Sequence, residues 1–376
     1  MNPLNPPKRL LMGPGPSMVA PRVYAAMAKP IVGYLDPYCL EIIGDIQQML
    51  RVAFGTKNEF TIPISGTGSA GMEAAIANFT EPGAKFAVFA NGFFSDRITE
   101  MARRQGGNVV RFEKPWGEVY GDAEAADFIR REKPQVVAYV QAETSTGAFQ
   151  TGKAICQAAH DAGALVIADC VTSLGGIPVE VDATGIDIAY SCSQKGLSCP
   201  PGLSPFTVSP RAWAWLEKRA APVQSWYLDL RLLDTYFRGR KYHHTISISL
   251  LYALREGLAL AVEEGMEARW ERHRRNHLAF VAAIEKMGLR MHVAEPKNRL
   301  WTLQSPRVPA GVDDAKVRKR MLDVDGIEIL GGFGQLAGQV FRIGLMGSSS
   351  TEENIALVLD SLQKAMQAET VTAGKG

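Results

Sequence analysis

The sequence predicts an α/β fold: a mainly parallel sheet with helices on both faces, followed by a smaller α/β unit. Three observations carry this. From residue 59 to 208, short apolar runs alternate with stretches of helical spacing. The apolar runs are nearly continuous, as in Ala164-Leu165-Val166-Ile167-Ala168, which suits strands buried on both faces. Near Thr245 the character changes to two long helical stretches and then short strands.

In order, residues 1–16 read as an extended arm, because Gly13-Pro14-Gly15-Pro16 suits neither a helix nor a central strand. Those glycines mark either a rigid linker or a backbone brought close to a ligand. A helix follows near Pro21, then a turn at Gly33-Tyr34-Leu35-Asp36-Pro37. Residues 38–54 have helical spacing through Leu40, Ile43, Ile46, Met49 and Leu50. Strands are expected at 59–64, 85–90, 108–112, 136–141, 164–168, 186–190 and 206–208. The helices between them fall at 72–79, 96–105, 123–133 and 151–162. Beyond lie helices at 248–263 and 267–287, a strand at 299–303, a helix at 314–322, and strands at 326–330 and 340–344. Ser350 and Glu353 read as a capping box for a helix over 355–366, and 368–376 as a frayed end. The expected division is an arm (1–16), a large domain (17–245) and a small C-terminal domain (246–376).

Composition narrows the function. The chain has 376 residues, 46% hydrophobic and 21% charged, with a net charge of +2. Nothing in that balance points to nucleic acid or a membrane surface, and the apolar runs break before membrane-spanning length. The start lacks the apolar core of a signal peptide, and the end is not a peroxisomal address. Five cysteines at irregular spacing, without CxxC, argue against a disulfide framework or a zinc site and for reduced thiols in a cytoplasmic protein. No metal is expected; His243 and His244 are adjacent and point apart on an extended chain.

Ligands of such sheets sit at the carboxyl ends of the strands. The Ser65–Ser69 turn, Phe94, Thr144, Asp169 and Lys195 all fall there. Strand, Ser65-Gly66-Thr67-Gly68-Ser69-Ala70-Gly71, then helix is a cradle for an anion, with hydroxyls from Thr67 and Ser69. Gly66, Gly68 and Gly71 also match GxGxxG. A dinucleotide site, however, wants an acid at the end of the next strand, about 20 residues on. That strand ends in Asn91-Gly92-Phe93-Phe94, so the cradle reads as holding one phosphate. Phe94 is either core or a platform for a flat ring. Lys195, among Ser193, Gln194 and Gly196, is either one more solvated loop lysine or placed for imine chemistry with an aldehyde such as pyridoxal 5′-phosphate (PLP). Asp169, ending an apolar strand, is costly to bury unpaired; it either pairs with a protonated pyridine nitrogen or caps the next turn. Arg342, in an apolar strand, is either a clamp for a substrate carboxylate or half of an internal ion pair.

Together these stretches resemble the class V, fold type I, PLP-dependent aminotransferases, and among them the alanine–glyoxylate and serine–pyruvate (serine–glyoxylate) group. The likeness spans residues 9–366. It runs through Leu11-Met12-Gly13-Pro14-Gly15-Pro16-Ser17, the 65–69 turn, Asn91-Gly92-Phe93-Phe94, Glu143-Thr144-Ser145-Thr146-Gly147, residues 168–176, Ser193-Gln194-Lys195, Tyr242-His243-His244-Thr245 and Phe341-Arg342-Ile343-Gly344. The resemblance implies a seven-stranded sheet, PLP as cofactor, and transfer of an amino group from alanine or serine to glyoxylate or pyruvate in two half-reactions. It makes Lys195 the catalytic lysine and Asp169 the partner of the ring nitrogen. Val171 and Phe94 then lie on opposite ring faces, and Thr144 lies near the ring hydroxyl. Thr67, Gly68, Ser69 and Gln194 hold the phosphate, joined by Tyr242 and Thr245 from a second subunit of a homodimer. Arg342, Gly15 and Tyr34 face the substrate. Phe94 stands where Trp is frequent in the family, Thr144 where Ser is, and Tyr34 where many members carry His. Two other readings remain: a lyase of the same fold such as a cysteine desulfurase, which needs a mobile cysteine near the C-terminal domain, and an idle PLP-binding protein.

Overall fold

The computed structural model describes Met1 and residues 3–373. Its centre is a seven-stranded sheet. In chain order the strands are β1 (Phe60–Ser65), β2 (Lys85–Ala90), β3 (Asn108–Glu113), β4 (Val136–Val140), β5 (Leu165–Asp169), β6 (Ile188–Tyr190) and β7 (Leu203–Val208). Across the sheet they run β1-β7-β6-β5-β4-β2-β3. Only β7 is reversed, antiparallel to both β1 and β6; the remaining pairs are parallel. Every residue of β4, β5 and β6 is buried, as expected of strands covered on both faces. Register sets Asp169 opposite Val140 on one side and Tyr190 on the other.

The helix Gly68–Phe79 starts four residues before the expected 72, because tertiary packing overrides the poor helix propensity of glycine. A Cβ at Gly71 would stand 2.1 Å from Ser204 Oγ, and one at Gly68 3.1 Å from Val171 Cγ2. Only glycine lets this helix sit so close to β6 and β7.

Three apolar clusters form among the described residues, the smallest joining Ala142 and Ile177 to Leu300, Leu303 and Met346. The largest runs from Val23 to Met266 around the sheet. The second gathers Met12 with residues between Phe280 and Ala365. The helix Ile248–Glu264 buries Leu251, Leu254 and Leu258 in the largest cluster, against the helices Pro21–Met27 and Pro37–Phe54.

The C-terminal part differs from expectation in detail. Of the expected strand at 299–303, only Leu303–Gln304 forms. The carbonyls of Leu300 and Trp301 accept from Gln304 Nε2 instead of a neighbouring strand. The expected strand at 326–330 splits: Ile327–Glu328 pairs with Leu10–Leu11 of the arm, and Leu330–Gly331 with the strand Phe341–Gly344. The Ser350–Glu353 box does not form, because Ser350 Oγ accepts from Asn276 Nδ2 at 3.0 Å. Thr351 takes its place: its Oγ1 accepts from Asn354 N at 3.2 Å, ahead of the helix Glu352–Ala373. That helix continues through 368–373, where fraying was expected; 374–376 lie outside the described residues. Among the described residues no helix is long and apolar enough to cross a membrane.

Candidate active site

At the carboxyl ends of β1, β5 and β6 lies a cavity of about 260 Å³. Its walls bring together Gly15, Thr67, Gly68, Ser69, Phe94, Asp169, Val171, Gln194 and Lys195, all singled out from the sequence. Met72, Arg97 and Phe333 complete it with two prolines. Four larger hollows, of about 1130, 970, 430 and 370 Å³, share no lining residue with it.

Lys195 is 9% exposed. Its Nζ donates to Pro14 O, and an added Cβ on Gly15 would lie 3.2 Å from that nitrogen. The arm's glycine is therefore a close approach and not a linker. Burial lowers the lysine's affinity for a proton. The lysine loop is held from two sides. Ser17 Oγ donates to Lys195 O at 2.7 Å, and Arg269 donates to Gly196 O at 2.7 Å and Gly175 O at 2.8 Å.

Asp169 Oδ1 accepts from Val171 N at 2.9 Å, and Oδ2 accepts from Tyr190 Oη at 3.0 Å. Among the described residues no cation pairs with this carboxylate within ion-pair distance. Burial pushes it up to about 6, against the pull of its two donors and Lys195. Beside it, Glu143 is fully buried and accepts from Ser145 Oγ at 2.6 Å, Ser145 N at 3.0 Å and Phe94 N at 3.2 Å. Burial pushes Glu143 up to about 7, and the Asp169 charge adds to the rise. Gln194 Oε1 is buried without a hydrogen-bond partner.

Arg342 is 2% exposed. Its Nε donates to Gly331 O at 2.7 Å and Nη1 to Thr144 O at 3.4 Å. Burial lowers it to about 10, so it stays cationic at neutral pH. No carboxylate among the described residues pairs with it, which removes the internal ion-pair reading. Arg342 does not line the cavity; Phe333, stacked 3.8 Å from its guanidinium, does. Thr144 also stands behind the wall, with its hydroxyl bonded to Thr172 Oγ1. Tyr34, Tyr242 and Thr245 do not reach the cavity of a single chain. The rings of Tyr34 and Tyr242 pack 4.9 Å apart, and Tyr242 and Thr245 are exposed. Of the two histidines, His244 Nε2 bonds Ser65 Oγ at 2.6 Å, while Trp226 stacks 4.4 Å over His243.

Sequence reasoning missed Arg97, Glu143, Tyr190 and Phe333. Only Tyr190 left a usable signal, since a tyrosine one strand over from a buried acid needs a hydroxyl partner. The assembled site suits a flat, anionic ligand. It offers a glycine-lined helix start for the anion, a buried acid for a protonated ring nitrogen, apolar side chains at 94 and 171 for the ring, and an amine to react with it.

A family model for class-V aminotransferases matches residues 35–369. The (S)-ureidoglycine–glyoxylate transaminase of Bacillus subtilis (strain 168) is 40% identical over 379 residues, covering 96% of this chain and 91% of its own. The alanine–glyoxylate aminotransferase of Felis catus is 38% identical over 371 residues, covering 98% and 90%. The crystal structure of alanine–glyoxylate aminotransferase from Nostoc sp. matches with a TM-score of 0.96 at 45% identity, covering 97% of each chain. By sequence and by fold, the chain belongs to the class-V aminotransferases, PLP-dependent transaminases of fold type I.

Proposed function

We propose that this transaminase moves an amino group from a small amino acid, alanine or serine, to a small 2-oxo acid, glyoxylate or pyruvate. The observation that carries the site assignment is the meeting of Lys195, Asp169 and the Thr67–Ser69 cradle in one cavity. The residues present fit PLP: among the described residues Asp169 has no paired cation and Gln194 Oε1 no hydrogen-bond partner, and a side chain at 68 would crowd Val171 and Cys192. Bound PLP supplies an aldehyde for the amine and a ring that draws electrons from the substrate Cα. Lys195 Nζ, whose hold on a proton is weakened by burial, takes the Cα proton and returns it. Asp169 holds a protonated ring nitrogen, with Val171 and Phe94 on the two faces and Thr144 near the ring hydroxyl. Thr67, Gly68, Ser69 and Gln194 hold the phosphate. Arg342, set behind Phe333, is the proposed clamp for the substrate carboxylate, and Gly15 shapes the pocket; Tyr34, outside the cavity of its own chain, joins it in the proposed homodimer.

Glyoxylate is the preferred acceptor in this reading, because both curated relatives carry it in their names. The 40% relative also makes (S)-ureidoglycine a donor to test. We further propose a cytoplasmic homodimer in which Tyr242 and Thr245 of the partner subunit complete the phosphate site. Exposure of Tyr242 and Thr245 supports the dimer, and five unpaired cysteines support the reducing compartment. The arm, large-domain and small-domain division is likewise our proposal; the two larger apolar clusters favour two units, but they put the helix Ile248–Glu264 with the first and Met12 of the arm with the second.

The test is a panel of donors, each with glyoxylate or pyruvate, read by glycine or alanine formation and by the cofactor's visible spectrum. Glycine from glyoxylate with alanine or serine is the expected outcome. No amino product with any pair would sink the substrate reading, and product from a donor without acceptor would move the answer to a lyase.

A further inference from the structure

Arg97 has no part in the reading above, yet it faces the cavity. It lies three residues past Phe94, on the same face of the helix Phe93–Arg104. Its Nη1 donates to Ser69 Oγ at 3.0 Å, and its guanidinium carbon stands 4.9 Å from the Phe94 ring centre. Two nearby arginines have acids: Arg104 bonds Glu100 at 2.8 Å, and Arg111 takes Asp96, the residue just before Arg97, at 2.7 Å. Arg97 makes no ion pair among the described residues. Of its five N–H donors, Ser69 Oγ takes the one bond recorded.

The ground beside it is also short of negative charge. The helix Gly68–Phe79 begins with no acid in its first turn, and Thr67 gives it no side-chain cap. The helix start therefore leaves N–H groups that no side chain of Thr67 caps, and the guanidinium is tied to Ser69 of the same first turn. The other arginine argued for this site, Arg342, is held elsewhere, by Gly331 O and Thr144 O. The two cations thus have separate anchors and suit two separate anions.

We propose that Arg97 belongs to the phosphate end of the cofactor site: together with the helix start at Thr67–Ser69 it supplies the positive charge that a phosphate monoester meets, and Phe94 steadies it there. This rests on the PLP reading of the cavity. A fixed guanidinium beside oriented N–H groups favours a dianionic phosphate over a neutral alcohol at the same position.

The test compares PLP with pyridoxal, which has the same ring and aldehyde but no phosphate. Binding of each to the full chain, freed of cofactor by dialysis against an amine, is followed by tryptophan fluorescence and equilibrium dialysis. Arg97→Gln is expected to weaken PLP about tenfold to a hundredfold, the range of a hydrogen bond to a charged group, and to leave pyridoxal within about twofold. Arg97→Lys, which keeps the charge and loses the fork, should lose part of that and also spare pyridoxal. Equal losses for PLP and pyridoxal would overturn the proposal, since Arg97 would then act only by supporting Phe94. Unchanged PLP binding with a raised KM for an acidic donor would overturn it too, making Arg97 a substrate residue. A wild-type chain that binds neither ligand would sink the cofactor reading itself. If Arg97→Gln melts before assay, Arg97→Lys carries the same PLP-to-pyridoxal comparison.

Discussion

Lys195, Asp169 and Glu143 are buried ionisable groups around one cavity, each moved by burial toward its neutral form. For Lys195 that is the form that takes a proton, so Lys195→Ala should lower steady-state turnover by roughly 10³-fold or more under saturating donor. A variant with measurable steady turnover near wild type would remove Lys195 from the mechanism. For Glu143 the consequence is a pH-dependent stability. A raised acid stabilises the fold while protonated. Its contribution is full below the unfolded value of about 4.3 and is lost as pH rises through about 7. The loss is on the order of 3 kcal/mol, and Asp169, raised to about 6, tilts stability the same way. Glu143→Gln should therefore gain on the wild type between pH 5 and pH 8, read as urea midpoints; equal slopes in the two proteins would refute it. These residues were unequally legible. Lys195 and Asp169 stand out because each follows an apolar run where a charge has no ordinary reason. Arg97 does not, because Asp96, Glu100, Arg103 and Arg104 surround it and the stretch reads as a solvated helix face. Phe333 meets Phe93 at 5.0 Å from far along the chain, a contact that no local pattern encodes.

At the scale of elements, the site depends on how closely helices approach the sheet. Gly71 is the tightest point of the cradle helix, since its Cβ would overlap Ser204 Oγ. Gly71→Ala should cost about 1–3 kcal/mol through overpacking, despite the better helix propensity of alanine, and should weaken cofactor retention by displacing the Thr67–Ser69 start. Thermal melts with and without added PLP separate the two effects; a variant as stable as wild type would show that the helix can shift freely. The sheet strands were legible because continuous apolar runs leave little choice. The small domain was less so. Its strands are two to four residues long and are paired by distant segments. Thr351 displaces Ser350 as cap only because Asn276, on another helix, claims the Ser350 hydroxyl. The second latch on the lysine loop, Arg269, is likewise a tertiary fact: it reads as one more charge on a helix until its two carbonyl partners are seen.

For the whole molecule, the proposed homodimer gives exposed aromatic side chains a place to go: Tyr24 is 59% exposed, Tyr38 54%, Trp226 61% and Tyr242 55%, the last being one of the two residues offered to the partner's phosphate site. Light scattering should therefore report two chains of 40.9 kDa each. Mixing Lys195→Ala with Tyr242→Ala should rebuild one sound site per heterodimer and recover cofactor affinity lost in the Tyr242 variant; no recovery would mean that each chain supplies its own phosphate site. The arm carries a different consequence. Leu10–Leu11 pairs with Ile327–Glu328, Met12 O accepts from Gly344 N at 2.8 Å, and a few residues on, Pro14 O and Ser17 Oγ reach Lys195. Synthesis makes the arm before Lys195 and the arm's strand partners well after it. The nascent chain thus carries its reactive lysine beside an arm already made but with nothing yet to dock on, and the pocket can close only once residues 327–344 have emerged.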